Sequence, residues 1–111
     1  MVRNLMVKAL VRENHMVWEA NGAAEALQVS EEFRGTLDLL ITDLNLNTIT
    51  GRQVAEQIRQ SQSGMKTLFI SKYLIETLVR EGAMISGADL LAKPFSATDL
   101  TQKVGQVLLN T

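Results

Sequence analysis

Apolar residues recur along the chain with two spacings, one typical of helices and one typical of buried strands. The helical spacing comes first. It predicts a helix that ends near Asn14, and the apolar face of this helix consists of Val2, Leu5, Met6, Ala9 and Leu10. Leu37–Asp43 is instead nearly apolar throughout, as expected for a parallel strand covered on both faces. Lys66–Ser71 is predicted to be a strand of the same sheet. The chain therefore combines helices with buried strands.

Strand-type and helix-type segments alternate over the rest of the chain. His15–Ala20 is short, β-leaning and apolar at its centre, which predicts a strand. Further helices are predicted at Gly22 to about Ser30, Gly51 to about Ser61, Leu74–Glu81 and after Ser96, and a last strand at Ala88–Ala92. Strands that alternate with helices are joined by right-handed crossovers. We therefore predict an α/β protein of flavodoxin-like type, a three-layer α/β/α sandwich with a mostly parallel sheet.

The start of the last helix carries a local signal of its own. Ser96 and Asp99 have the spacing of a capping box, in which each side chain accepts a hydrogen bond from the other residue's backbone N–H. The helix that follows has an apolar face made of Leu100, Val104, Val107 and Leu108. Ser96 is therefore the predicted N-cap.

Length and composition exclude several classes of protein. A chain of 111 residues is predicted to form a single domain over residues 1–111. A net charge of −1 supplies no strong attraction to nucleic acid or to an anionic membrane surface, so neither is an expected partner. The chain has no Cys, which excludes disulfides and thiolate metal sites. With no long apolar run and no signal peptide, a cytoplasmic location is expected.

Polar residues stand where three predicted strands end. Asp43, Ser71 and Lys93 each follow a strand, and the carboxyl ends of parallel strands meet at one edge of the sheet. A carboxylate can attack phosphorus as a nucleophile, a hydroxyl can donate to a phosphoryl oxygen, and an ammonium group can offset its charge. Each residue alone also fits an ordinary structural role at a strand end. The three together favour a site derived from phosphoryl chemistry.

These residues belong to segments that resemble a known family. The segments LLITDLNLNTITGRQVAEQIR, TLFIS and GADLLAKPF resemble the receiver domain of two-component response regulators, most of all receivers attached to hybrid sensor kinases. The resemblance covers nearly the whole chain. It implies a signalling module in a phosphorelay, whose partner is a histidine kinase or a phosphotransfer protein.

The resemblance also implies a role for each site residue. Asp43 is the implied phosphoacceptor, Ser71 the hydroxyl that turns toward the phosphoryl group, and Lys93 the lysine that contacts it. The Lys93-Pro94 bond is implied to be a cis peptide. Mg²⁺ is the implied cofactor, with Asp43 and the backbone carbonyl of Asn45 among its ligands. Gly51 matches the glycine that opens the third helix of the family.

The chain departs from the family at its start. Family members begin with an apolar strand that ends in an acidic pair, and this pair binds Mg²⁺ beside the phosphoacceptor. Here the sequence begins within the first helix, and Glu13 is its first acidic residue. We therefore expect an N-terminally truncated receiver domain with weak Mg²⁺ binding and weak or absent phosphorylation. Leu90 also stands where the family has its switch aromatic residue.

Two questions stay open at this point. The missing strand leaves three outcomes: His15–Ala20 pairs directly with Leu37–Asp43, a second chain completes the sheet and makes a homodimer, or the domain is unstable. For the function, the alternative to a phosphorelay receiver is a degenerate receiver that acts as a phosphorylation-independent interaction or dimerisation module. An independent enzyme is not predicted, because the chain has one His and no Gly-rich phosphate loop.

Overall fold

A computed structural model describes residues 2–33, 35–43, 51–71 and 90–109. Within these residues the chain forms four helices and three strands. In chain order they are α1 (Val2–Arg12), α2 (Ala23–Glu32), β1 (Leu39–Asp43), α3 (Gly51–Arg59), β2 (Lys66–Ser71), β3 (Leu90–Ala92) and α4 (Ala97–Leu109).

The three strands form a parallel sheet in the order β1-β2-β3. Leu39 of β1 stands opposite Lys66 of β2, and Asp43 stands opposite Ile70. On the other side of β2, Ser71 stands opposite Ala92 of β3. The carboxyl ends of all three strands therefore lie at the same edge of the sheet.

Helices cover both faces of this sheet. On one face, α1 and α4 pack together over Leu68, which is fully buried, with Leu39 and Ile41 against the same cluster. On the other face, α2 and α3 cover Leu40, which lies against the clusters around Ala55 and Val54. Successive residues of β1 thus face opposite layers, as the two-residue period of a strand requires. The predicted α/β sandwich with a parallel sheet is confirmed.

The strand predicted at His15–Ala20 is wrong, because the segment belongs to no strand of the described chain. The His15 N–H instead donates to the Leu10 carbonyl oxygen at 3.1 Å, and together with the positive φ of Asn14 this bond caps the end of α1. Trp18 packs its ring against Phe33, with centroids 4.6 Å apart. Direct pairing of this segment with β1 is also not observed, since β1 pairs only with β2 among the described residues. A β-leaning sequence becomes a strand only when a hydrogen-bonded neighbour lies beside it.

The other predicted elements agree with the structure within two or three residues. The prediction matches β2 at both ends and the end of β1 at Asp43, whereas β1 begins two residues later than predicted and α2 ends two residues later. The predicted helix at Leu74–Glu81 lies outside the described residues, as do the first two residues of the strand predicted at Ala88–Ala92.

The predicted capping box of the last helix is confirmed, because both of its hydrogen bonds are present. The Asp99 N–H donates to the Ser96 hydroxyl oxygen at 3.0 Å, and the Ser96 N–H donates to the Asp99 carboxylate at 3.0 Å. These bonds satisfy backbone donors that the first turn of a helix leaves without partners.

We predict that Ser96→Ala lowers the free energy of unfolding by about 1 kcal/mol, because it removes the acceptor for the Asp99 N–H. The measurement is urea denaturation followed by circular dichroism. Thr98→Ala, a matched change in the same exposed turn, leaves both capping bonds in place. An equal loss of stability in the two variants would show that the cap contributes nothing.

Candidate functional site

The candidate site lies at the edge of the sheet where β1, β2 and β3 end. Asp43 is the last residue of β1 and Ser71 the last residue of β2. Lys93 directly follows β3. The backbone N–H of Lys93 donates to the Ser71 carbonyl oxygen at 2.9 Å. Because this bond ties the end of β3 to the end of β2, it helps to hold Lys93 at the edge where Asp43 stands.

An ion pair joins the two charged residues of this site. The Lys93 Nζ donates to the Asp43 Oδ2 at 2.6 Å. Both side chains remain partly accessible, with 30% of the Lys93 side chain and 38% of the Asp43 side chain exposed. The Lys93–Pro94 peptide bond is cis. The arrangement therefore offers an accessible carboxylate with a cation already in contact, which suits chemistry on a negatively charged group.

Ser71 lies beside this pair but is covered. Its residue is only 1% exposed, whereas the neighbouring carboxylate is open to solvent. A buried hydroxyl at the end of a central strand can reach an incoming group only if its side chain rotates or its cover moves. Ser71 is thus placed at the right edge, and its hydroxyl is enclosed in this conformation.

The carbonyl group of Asp43 packs closely against the start of α3. A methyl group built on Gly51 would lie well inside van der Waals contact of the Asp43 carbonyl oxygen and 3.0 Å from Thr42 Cγ2. The Thr42 hydroxyl donates to the same carbonyl oxygen at 3.1 Å. Gly51 therefore allows a close approach between α3 and the residue that carries the reactive carboxylate.

Sequence reasoning did not single out Thr42. Its position within an apolar strand indicates only that it is a strand residue, and β-branched residues are common there. The contact with Gly51 and the bond to the Asp43 carbonyl depend on how α3 approaches β1. Leu90, by contrast, is buried as an apolar residue beside Ala55 and Phe69.

The described residues do not by themselves form a magnesium site. No group of three or more His, Cys, Asp or Glu side chains that could hold a metal occurs among them. Asp43 brings one carboxylate, one oxygen of which already accepts from Lys93, and Asn45 lies outside the described residues. Mg²⁺ needs six oxygen ligands in near-octahedral geometry, so this donor set does not fit a preformed site.

Comparison with known proteins finds a family match and several curated relatives. The family model described as "Response regulator receiver domain" matches residues 1–105. The chain is 28% identical over 102 residues to the sensor kinase CckA of Brucella abortus, a match that covers 92% of this chain and 11% of the kinase. It covers 43% of another curated relative, a transcriptional regulatory protein of Bacillus subtilis. The chain thus spans less than half the length of these two proteins.

Solved structures agree with the family match. The receiver domain of the hybrid histidine kinase CckA superposes with a TM-score of 0.78 at 31% identity, over 96% of this chain and 89% of that one. The chemotaxis response regulator CheY4 of Vibrio cholerae superposes with a TM-score of 0.80 at 25% identity, over 96% of this chain and 88% of CheY4. No helix in the described ranges is long and apolar enough to cross a membrane.

Proposed function

The chain belongs to the response regulator receiver family, and on that premise we propose that Asp43 accepts a phosphoryl group from a phosphohistidine of a partner protein. Receivers are signalling modules of two-component systems, and they interact with histidine kinases or phosphotransfer proteins. The observation that carries the proposal is the contact between Lys93 Nζ and Asp43 Oδ2 at 2.6 Å. This contact places a cation beside a carboxylate that remains accessible.

The transfer conserves atoms and charge in a single displacement. The Asp43 oxygen that is not bonded to Lys93, Oδ1, attacks phosphorus and forms a new O–P bond. The P–N bond of the phosphohistidine breaks, and the imidazole nitrogen leaves with its electron pair and takes up a proton. Lys93 offsets the negative charge that the phosphoryl oxygens bring to this edge. A carboxylate thereby becomes a mixed anhydride, the aspartyl phosphate.

Ser71 acts after the transfer in this proposal. Its hydroxyl is buried at the end of β2, and a phosphoryl group on Asp43 supplies a strong acceptor at the same edge. Rotation of the hydroxyl toward that acceptor changes the packing around the end of β2. The chemistry at Asp43 is thereby linked to the packing around the end of β2.

The family generally binds Mg²⁺, and the described residues do not complete such a site. This observation favours the second candidate function, a degenerate receiver that associates with partners without accepting phosphate. In that case the contact between Asp43 and Lys93 is a permanent ion pair that stabilises the ends of β1 and β3. The two functions differ in whether Asp43 forms a covalent adduct.

The deciding experiment measures the intact mass of the purified chain after incubation with acetyl phosphate and Mg²⁺. We expect a mass increase of one phosphoryl group in the natural chain and no increase in Asp43→Asn. Asp38→Asn is the matched control, because Asp38 precedes the amino end of β1, far from the carboxyl end where Asp43 stands. This variant should still gain the phosphoryl group.

Two results would contradict the proposal. One is an adduct that persists in Asp43→Asn, since the acceptor would then lie elsewhere. The other is no adduct on the natural chain while circular dichroism shows that it is folded. The second result would leave the phosphorylation-independent module as the function.

A further inference from the structure

A turn of two exposed residues, Asn21 and Gly22, leads into α2. The side-chain amide of an Asn that precedes a Gly can be attacked by the backbone nitrogen of that Gly, because Gly has no Cβ to hinder the approach. The attack expels ammonia, and water then converts the amide into a carboxylate. This is the only Asn-Gly pair in the sequence. In a folded chain, the reaction requires that the backbone nitrogen of Gly22 is accessible.

The backbone nitrogen of Gly22 lies outside the hydrogen-bond ladder of α2. Gly22 is the N-cap of this helix, and its carbonyl oxygen accepts a hydrogen bond from the Ala26 N–H at 2.9 Å. An N-cap residue contributes its carbonyl oxygen to the helix, whereas its own N–H is not part of the ladder. Formation of α2 therefore leaves this nitrogen available.

The conformation and surroundings of Gly22 also permit the reaction. Its backbone is extended, with a φ of 167° and a ψ of −178°. A Cβ built at this position would meet no atom within 4 Å beyond its chain neighbours in the described part of the chain. The turn therefore has room for the Asn21 side chain to fold over the following nitrogen, which formation of a five-membered ring requires.

Asn14 provides a contrast within the same chain. It lies just after α1 with a φ of 66°, and the next N–H, that of His15, donates to the Leu10 carbonyl oxygen at 3.1 Å. A backbone nitrogen in such a bond becomes available only when the bond opens. The side chain of His15 also hinders the approach. The structure therefore protects Asn14 and leaves Asn21 reactive.

The start of α2 can accommodate the negative charge of the product. The positive end of the helix dipole lies at the first turn of α2, where a carboxylate is favourable. Gly22 supplies no side-chain hydrogen bond to the backbone donors of that turn. A carboxylate at position 21 would stand one residue before the N-cap, and it would add one negative charge to a chain whose net charge is −1.

A ring contact makes the structure sensitive to the length of this turn. Trp18 packs against Phe33 with ring centroids 4.6 Å apart. The contact closes a loop that runs from residue 18 to residue 33 and contains Asn21, Gly22 and α2. An isoaspartate at position 21 routes the backbone through the side chain and adds one methylene group to this loop. The two rings then no longer meet in the same geometry.

We propose that Asn21 is a site of spontaneous deamidation in the folded chain, and that its isoaspartate product displaces Trp18 from Phe33. The inference does not depend on phosphoryl transfer, because Asp43 and Lys93 take no part in the reaction.

The reaction conserves atoms in two steps. The Gly22 nitrogen loses its proton to a base and attacks Cγ of Asn21, and the bond between Cγ and Nδ2 breaks. The leaving nitrogen takes up a proton and departs as ammonia, which leaves a succinimide ring. Water then opens the ring: cleavage at Cγ gives aspartate, and cleavage at the main-chain carbonyl carbon gives isoaspartate. One water is consumed and one ammonia is released.

The test incubates the natural chain in mildly alkaline buffer and maps its peptides by mass spectrometry. Alkaline buffer accelerates the reaction because the Gly22 nitrogen must lose a proton. We expect the mass change of amide-to-acid conversion at Asn21 and none at Asn14. The rate at Asn21 in the folded chain should lie within about tenfold of the rate in urea, because no protecting hydrogen bond has to open first.

Gly22→Ala tests the role of the attacking nitrogen. The extended backbone and the open space at this position accept a methyl group, so this variant should fold like the natural chain, as circular dichroism can verify. The methyl group should slow deamidation at least about tenfold, because it hinders the attack geometry. Gly64→Ala is the matched control, because a methyl group there also meets no atom within 4 Å and the preceding residue is Ser63. This control should leave the rate at Asn21 unchanged.

The fluorescence of Trp18, the only Trp in the chain, reports the displacement of its ring. Chromatography separates the two products, and Asn21→Asp provides a standard for the aspartate form. We expect the isoaspartate form to emit at longer wavelength, because Trp18 loses its contact with Phe33 and gains water. The Asn21→Asp variant should emit like the natural chain, since its backbone length is unchanged.

Four results would contradict the proposal. A folded chain that stays unmodified at Asn21, deamidation at Asn14 that is equally fast, or an unchanged rate in Gly22→Ala would each overturn the proposed site. Identical Trp18 emission from the isoaspartate form and the natural chain would overturn the displacement of the ring.

Discussion

Leu68→Ala is expected to lower the free energy of unfolding by about 3–5 kcal/mol. Leu68 lies in β2, the middle strand of the described sheet, and is fully buried. Its side chain packs in the cluster that joins α1 and α4 to the sheet. Removal of this side chain leaves a cavity that three elements border, and rigid neighbours collapse into such a cavity only partly. Urea denaturation followed by circular dichroism measures the loss.

The effect is large relative to the stability of a small domain, which is about 5–15 kcal/mol. Leu109→Ala is the control, because that side chain is 83% exposed at the end of α4. This variant should change the free energy of unfolding by no more than about 0.5 kcal/mol. A loss of less than about 1 kcal/mol for Leu68→Ala would mean that the layer of α1 and α4 does not close over β2.

Gly51→Ala is expected to lower the free energy of unfolding by about 2–3 kcal/mol. The added methyl group would overlap the Asp43 carbonyl oxygen, and backbone atoms cannot move aside as a flexible side chain can. Relief of the overlap requires α3 to move away from the end of β1. We therefore also expect changes in the amide chemical shifts around Thr42 and Asp43, measured by nuclear magnetic resonance.

Gly105→Ala separates this steric effect from the general effect of replacing glycine. Gly105 lies within α4, and a methyl group there would meet no atom within 4 Å. Because Ala favours a helix over Gly by about 1 kcal/mol, this variant should be more stable than the natural chain. If Gly51→Ala were equally stabilising, the close packing between α3 and β1 would be absent in solution.

Much of the fold follows from local spacing along the chain. The apolar run that ends in Asp43 predicts the end of β1, and the capping pair Ser96 and Asp99 predicts the start of α4. These signals are local because a buried strand, a helix face and a capping box each involve residues within a few positions of one another. Their agreement with the structure needs no knowledge of distant contacts.

The segment at residues 15–20 shows where local spacing fails. Its β-leaning residues predict a strand, yet a strand exists only through hydrogen bonds to a neighbour. In the structure the segment borders a groove rather than another strand. Met16 accordingly remains 81% exposed, and Trp18 finds its contact with Phe33 instead.

The amino-acid sequence by itself determined the alternation of helices and strands, the parallel sheet, and the presence of Asp43, Ser71 and Lys93 at strand ends. It did so because residue spacing reports secondary structure, and the order of elements restricts the topology. Only the tertiary structure decided which groups touch. The ion pair of Asp43 with Lys93 and the close approach of Gly51 depend on the distances between elements far apart in the chain. Those distances are set by the packing of the layers.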